Sequence, residues 1–148
     1  IALTTDVIVG FPTETRAEFE ETLSLLEAVR YDAIYSFRFS SRPGTLAAEM
    51  EDDVELAEKK DRLSVLQRLQ AGITRERLAS HVGAEREVLV EGPSRRGGGQ
   101  LAGRTRGNTV VNFAGPPEGL APGTIVRVAI LAAGSHTLEG QLVPGDES

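Results

Sequence analysis

The spacing of apolar positions changes once along this chain. Thr4 to Val9 is a short β-branched run closed by Gly10-Phe11-Pro12, the pattern of a strand buried on both faces in a parallel sheet. Thr15 with Glu18 three residues on forms a capping box, and Phe19, Leu23, Leu26 and Val29 then recur on one helical face as far as Tyr31-Asp32. Ile34 to Phe39 alternates again and predicts a second strand. Strand, helix and strand together predict a right-handed parallel crossover. Ser40 to Thr45 reads as a loop leaving the carboxyl end of that strand, where α/β folds place their chemistry. After the acidic stretch Glu51-Asp52-Asp53, Leu56, Leu63, Leu66, Leu69 and Ile73 mark a long amphipathic helix to about Ala79. Its basic residues Lys59, Lys60, Arg62, Arg68, Arg75 and Arg77 read as a solvated face.

From His81 onward the period is two and the runs are separated by Gly and Pro. Strands are predicted near Arg86–Glu91, Gln100–Arg104, Thr109–Phe113, Thr124–Ala132 and Thr137–Val143. Five short strands suggest a small closed antiparallel barrel, because an open sheet of that size leaves unprotected edges. The expected architecture is therefore α/β followed by all-β, with domains at 1–80 and 81–148.

Composition narrows the function. The 148 residues are 40% hydrophobic and 26% charged, so a buried core is expected. A formal charge of -6 excludes a polycation that coats nucleic acid by bulk charge, so any RNA contact must be local. With no cysteine, these residues alone hold no disulfide, no thiolate metal site and no iron–sulfur cluster. No run approaches the roughly 18 apolar residues of a membrane span, and the start lacks a basic leader, so a cytoplasmic location is expected. The chain begins with Ile and its only Met is Met50, which leads us to expect a fragment or a processed product.

Two constellations bear on chemistry. Asp6-Val7-Ile8-Val9-Gly10-Phe11-Pro12-Thr13-Glu14 puts two acids, an apolar strand and a glycine at the carboxyl end of one strand. This can line a nucleoside, with apolar residues on the base and backbone groups near Gly10 at its edge. The alternative is that Gly10 and Pro12 merely shape a turn and Glu14 merely favours a helix dipole. In the barrel, Arg86, Arg95, Arg96, Arg104, Arg106 and Arg127 face only Glu87, Glu91 and Glu118 in the same stretch. Arginine forks for phosphate, the amides of Asn108 and Asn112 for base edges and Phe113 for stacking fit recognition of single-stranded or loop RNA. A solvated barrel rim with turn-forming asparagines is the competing reading. His81 and His136 fall on different elements with no third ligand at metal spacing, and Ser135-His136 lacks a nucleophile elbow. No catalytic or metal residue is assigned.

Three blocks carry a family resemblance. Thr5-Asp6-Val7-Ile8-Val9-Gly10-Phe11-Pro12-x-Glu14-Thr15, Phe37-x-x-Ser40-x-Arg42-Pro43-Gly44-Thr45 and Gly103-Arg104-Thr105-x-Gly107-Asn108-x-Val110-Val111-Asn112-Phe113 closely resemble, in order and spacing, the radical S-adenosylmethionine (SAM) methylthiotransferases. The third block resembles the tRNA-modifying, MiaB-type branch. The resemblance implies that the first half is the C-terminal part of a radical SAM barrel, a partial TIM-like fold. It also implies that the second half is a TRAM domain, an OB-like RNA-binding β-barrel. It implies transfer of a methylthio group to carbon 2 of an isopentenylated adenosine beside the tRNA anticodon, with S-adenosylmethionine and two 4Fe-4S clusters. Asp6, Ile8, Gly10, Phe11 and Glu14 would line the cofactor's adenosine, and the loop Ser40 to Thr45 would face the same cavity. Arg86, Arg95, Arg96, Arg104, Arg106, Asn108, Asn112 and Phe113 would meet the tRNA anticodon stem-loop. Thr13 stands where the family usually has glycine. The cluster cysteines lie in a part of the family's sequence that precedes these residues, so the activity is expected of a parent enzyme with its N-terminal region and not of this chain alone. A free-standing RNA-binding module and a fragment of a ribosomal-protein methylthiotransferase are the alternatives.

Overall fold

The structure, a computed structural model, describes residues 1–116 and 119–144. Glu118, one of the acids counted in the barrel, lies outside the described residues. The chain divides into two compact units, Leu3–Thr74 and a second that gathers Arg75 onward with Ile1–Ala2.

In the first unit, β1 (Thr4–Val9) and β2 (Ala33–Arg38) pair in parallel, joined by α1 (Arg16–Val29), with Asp6 opposite Tyr35 and Ile8 opposite Phe37. β2 begins one residue earlier than its apolar alternation suggests. The capping box forms as predicted: Thr15 Oγ1 accepts from Glu18 N–H at 3.2 Å while Glu18 Oε2 accepts from Thr15 N–H at 2.7 Å. A single 3₁₀ turn (Leu46–Ala48) precedes α2 (Leu56–Ala79). One side of the two-strand ribbon is covered by the helices, because Val9, Phe19, Leu26, Leu66 and Ile73 bury together with Val7, Leu23, Ile34 and Leu63 packed around them. Two strands do not make a barrel, and this unit by itself is a strand–helix–strand crossover with a trailing helix.

The helical basic residues need correction. Lys59 and Arg62 are 4% and 5% exposed, not solvated. They occupy the stripe that continues into Leu66 and Ile73, so their heads are enclosed and must find anionic partners.

The second unit contains β3 (Glu85–Pro93), β4 (Gln100–Thr105), β5 (Val110–Ala114), β6 (Ile125–Ala133) and β7 (Leu138–Leu142), closed in the order β3-β4-β5-β7-β6. Every neighbouring pair is antiparallel except β5 with β7, which is parallel. The wholly antiparallel barrel expected from the sequence is ruled out by parity. Five strands cannot alternate direction around a closed ring, so one seam must be parallel. Val88, Val90, Val111, Phe113, Val128, Ile130 and Leu138 fill the interior with Leu78. Gly103 lets β3 and β4 close tightly, since a Cβ there would lie 2.4 Å from Leu89 O.

Candidate functional site

In the α/β unit, the segment after β1 is a clamp. Glu14 N–H donates to Phe11 O at 2.9 Å, Pro12 takes the second position and Thr13 the third with φ of 73°. This is the pattern of a type II turn, whose third residue requires positive φ. Thr13 N–H donates to Asp53 Oδ1 at 2.7 Å. Gly10, at φ 68°, donates its N–H to Glu14 Oε1 at 2.9 Å. The same oxygen accepts from Arg62 Nη1 at 2.6 Å, which also donates to Glu14 O at 2.8 Å, while Arg62 Nε donates to Glu58 Oε1 at 2.9 Å. Burial opposes the charge on Arg62, but the hydrogen bonds to Glu58 and Glu14 outweigh it and its pKa is raised. The hydrogen bond from Arg62 in turn holds Glu58 below the ordinary carboxylate value.

Lys59 Nζ donates to Asp52 at 2.5 and 2.6 Å and lies 5.2 Å from the centre of the Phe39 ring, which meets Phe11 edge-on. The aliphatic stem of Lys59 fills the space where a side chain on Gly10 would go, 2.4 Å from the ideal Cβ. Gly10 is thus required by helix packing, and its N–H is already spent on Glu14. Neither Gly10 nor the Glu14 carboxylate is presented to a ligand in the way the sequence suggested. Asp6 and Ile8 do lie on the open side of the ribbon. Ile8 is 53% exposed and sits opposite Phe37, 55% exposed, with Tyr35 beside Asp6. Phe11 is partly exposed at the end of this strand. Ser40 and Ser41 line an open cavity of about 720 Å³ with Phe37, Phe39, Asp52 and Lys59. Gly10 takes no part in that lining. Sequence reasoning missed Lys59, Arg62, Glu58 and Asp52. The available signal was the spacing of Lys59 and Arg62, which places them on the buried stripe.

In the barrel the predicted RNA residues separate by face. Phe113 is fully buried in the core, and Asn112, 5% exposed, accepts from Ser94 Oγ at 2.7 Å. Neither offers a face to RNA, which corrects their placement: Phe113 points inward from β5 and fills the barrel, while Asn112 points the other way and is enclosed against Ser94. Arg104, Arg106 and Asn108 gather at one end of β4. Arg104 Nε donates to Glu91 at 2.8 Å and its Nη1 to Asn108 O and Oδ1 at 3.2 Å, while Arg106 Nε donates to Glu87 at 2.6 Å. Asn108 takes φ of 64° and closes the turn through its N–H to Thr105 O. Elsewhere, Arg96 pairs with Glu139, Arg127 pairs with Glu85 at 2.8 Å, and Arg86 Nε donates to His81 Nδ1 at 3.0 Å. Arg95 is exposed on the turn before β4.

Residues 79–143 match the TRAM domain. Across its whole length the chain is 49% identical to the tRNA-2-methylthio-N(6)-dimethylallyladenosine synthase of Syntrophobacter fumaroxidans, of which it covers 32%. Proteins of the same description from Symbiobacterium thermophilum and Bacillus subtilis are 50% and 46% identical over 95% and 96% of the chain, which covers 30% and 28% of them. The chain is thus similar, over nearly its whole length, to one part of proteins of that description. It spans about a third of the length of these curated relatives. The five-stranded barrel corresponds to the TRAM match, and the α/β unit lies in the part of the similarity to these synthases that precedes it.

Proposed function

We propose that this chain is a segment of an enzyme that places a methylthio group on carbon 2 of an isopentenylated adenosine beside the tRNA anticodon. The observation that carries the reading is end-to-end similarity to synthases named for that nucleoside. In this reading the α/β unit is the C-terminal part of a radical SAM barrel. The TRAM barrel, OB-like in its small closed form, docks the anticodon stem-loop in the cytoplasm.

The fit to the implied groups differs between them. S-adenosylmethionine would supply a radical and a methyl group when bound, and the open face of Ile8, Phe37 and Phe11 suits one wall of its adenosine. The iron–sulfur clusters do not fit these residues. The chain has no cysteine, and among the described residues no group of three or more His, Asp or Glu comes together. Their ligands belong to parts of the enzyme outside these 148 residues.

A chimera tests the reading. The matching third of the Bacillus subtilis relative is replaced by this chain, and the protein is expressed in a strain lacking its own synthase. Transfer RNA hydrolysates should then contain the 2-methylthio nucleoside. A chimera that carries its clusters yet leaves tRNA unmodified counts against the assignment, and modification of a ribosomal protein instead points to the other branch.

A further inference from the structure

The outward face of the TRAM barrel carries an anomaly at Leu89. Along β3 the outward positions are Glu85, Glu87, Leu89 and Glu91, so one leucine interrupts an acidic row. Register places Leu89 directly between Arg104 on β4 and Ile125 on β6. Leu89 is 46% and Ile125 66% exposed. Neighbouring side chains across a register touch, so the two form one apolar shelf, not two scattered surface residues. The shelf floors an open cavity of about 340 Å³ whose other lining residues are Glu87, Arg104, Thr105, Arg106 and Asn108. That volume is at the small end for ligand sites.

The rim charges are arranged to keep donors free. Glu91 and Glu87 each take the Nε edge of an arginine. Arg104 Nη2 and both terminal nitrogens of Arg106 donate no hydrogen bond within the described residues, and the Arg106 side chain is 87% exposed. The acids therefore hold the guanidiniums beside the shelf, in the cavity lining, and leave these terminal donors unused. A planar apolar face with an anion attached matches both features, and an unstacked nucleotide has that chemistry.

We propose that Leu89 and Ile125 form a platform for one unstacked base of single-stranded RNA, with Arg106 and Arg104 holding the adjoining phosphate. This rests on the RNA-docking role given to the TRAM domain above and names where one nucleotide sits. It replaces the buried Phe113 as the stacking surface.

The 148-residue chain with methyl-labelled Leu and Ile is titrated with adenosine 5′-monophosphate and, separately, with ribose 5-phosphate. Upfield ring-current shifts at the Leu89 and Ile125 methyls are expected with the nucleotide only, and movement of the Arg106 Nε–H signal with both. Anisotropy with a labelled anticodon stem-loop follows. Leu89→Ala with Ile125→Ala should weaken binding about tenfold at unchanged salt slope, whereas Arg104→Ala with Arg106→Ala should lower the slope by about one for each phosphate no longer held. Ile125→Ser alone, at a mostly exposed position, serves if the double variant misfolds. Unshifted methyls together with undiminished stem-loop affinity in the apolar variants overturn the platform and leave RNA docking standing. A stem-loop that the parent chain does not bind at all overturns both.

Discussion

Thr13 is the residue whose replacement should stabilise the first unit. It is β-branched and sits at φ 73°, in the third position of the turn from Phe11 to Glu14. A side chain with a Cβ in the left-handed region costs about 1–2 kcal/mol, and branching at Cβ adds crowding. Thr13→Gly removes that strain. Little packing is given up, because the side chain is exposed and its hydroxyl makes no hydrogen bond among the described residues, while the backbone N–H to Asp53 persists. Glycine also frees the unfolded chain, at about 0.5–1 kcal/mol. The net gain is about 0.5–1 kcal/mol, or roughly 2–8 °C for a unit of this size. The assay is selective: the chain has two tyrosines and no tryptophan, and both Tyr31 and Tyr35 lie in Leu3–Thr74, so tyrosine fluorescence follows that unit's unfolding alone. Thr13→Ala, which keeps the Cβ, should gain less. An unmoved or lowered midpoint for Thr13→Gly refutes the strain argument.

The same fluorescence transition checks three more expectations. Gly10→Ala should destabilise by about 2–4 kcal/mol, combining strain at positive φ with an overpacked Lys59 stem. Arg62→Ala should cost about 3 kcal/mol by stranding the half-buried Glu14 carboxylate, and pairing Arg62→Met with Glu14→Gln should recover part of it in a double-mutant cycle. Glu58 has its folded pKa lowered by the bond from Arg62, so its contribution is present above the ordinary carboxylate range and is lost as pH falls through the lowered value. Denaturant midpoints for Glu58→Gln should therefore fall less steeply than the parent's as pH drops below about 4.3. In the barrel, Phe113→Leu should lower melting stability seen by circular dichroism, by about 1 kcal/mol, and leave stem-loop affinity in the cold unchanged. Weaker binding at full stability would return Phe113 to the RNA surface.

Local signals in the sequence specified most of the elements, because each had a mechanism of its own. The Thr15–Glu18 box started α1, and the period of two near Arg86–Glu91 marked β3. Where the reading failed, the deciding partner was distant in sequence. Gly10 needs no Cβ because of Lys59, 49 positions later, and Glu14 is turned inward by Arg62, 48 positions later. Arginine and lysine side chains bury their stems readily once an acid meets the head group, so a basic residue on an apolar stripe should be read as a packed ion pair before it is read as solvated. The period of two predicted β5 and turns Phe113 into the core, whereas Asn112 faces the opposite way and is enclosed only because Ser94, 18 positions earlier, covers it. A count of residue types for RNA binding took no account of which way they face.

Charge counting misled in a second way. The stretch Arg86 to Arg127 with its surplus of arginine leaves out Glu85 and Glu139, and these two acids are the partners of Arg127 and Arg96. With Glu87 and Glu91 on Arg106 and Arg104, four of the barrel's arginines carry an acid of their own. Such exposed pairs contribute little to stability, about 0–1 kcal/mol each. Their effect is on orientation: a flexible guanidinium fixed at Nε keeps its terminal donors aimed one way, so less freedom is lost when a phosphate arrives. A molecule of net charge -6 cannot draw in RNA by its overall field. It can still bind one nucleotide well if a few donors are already placed beside an apolar shelf, and the ion pairs on this face place them there.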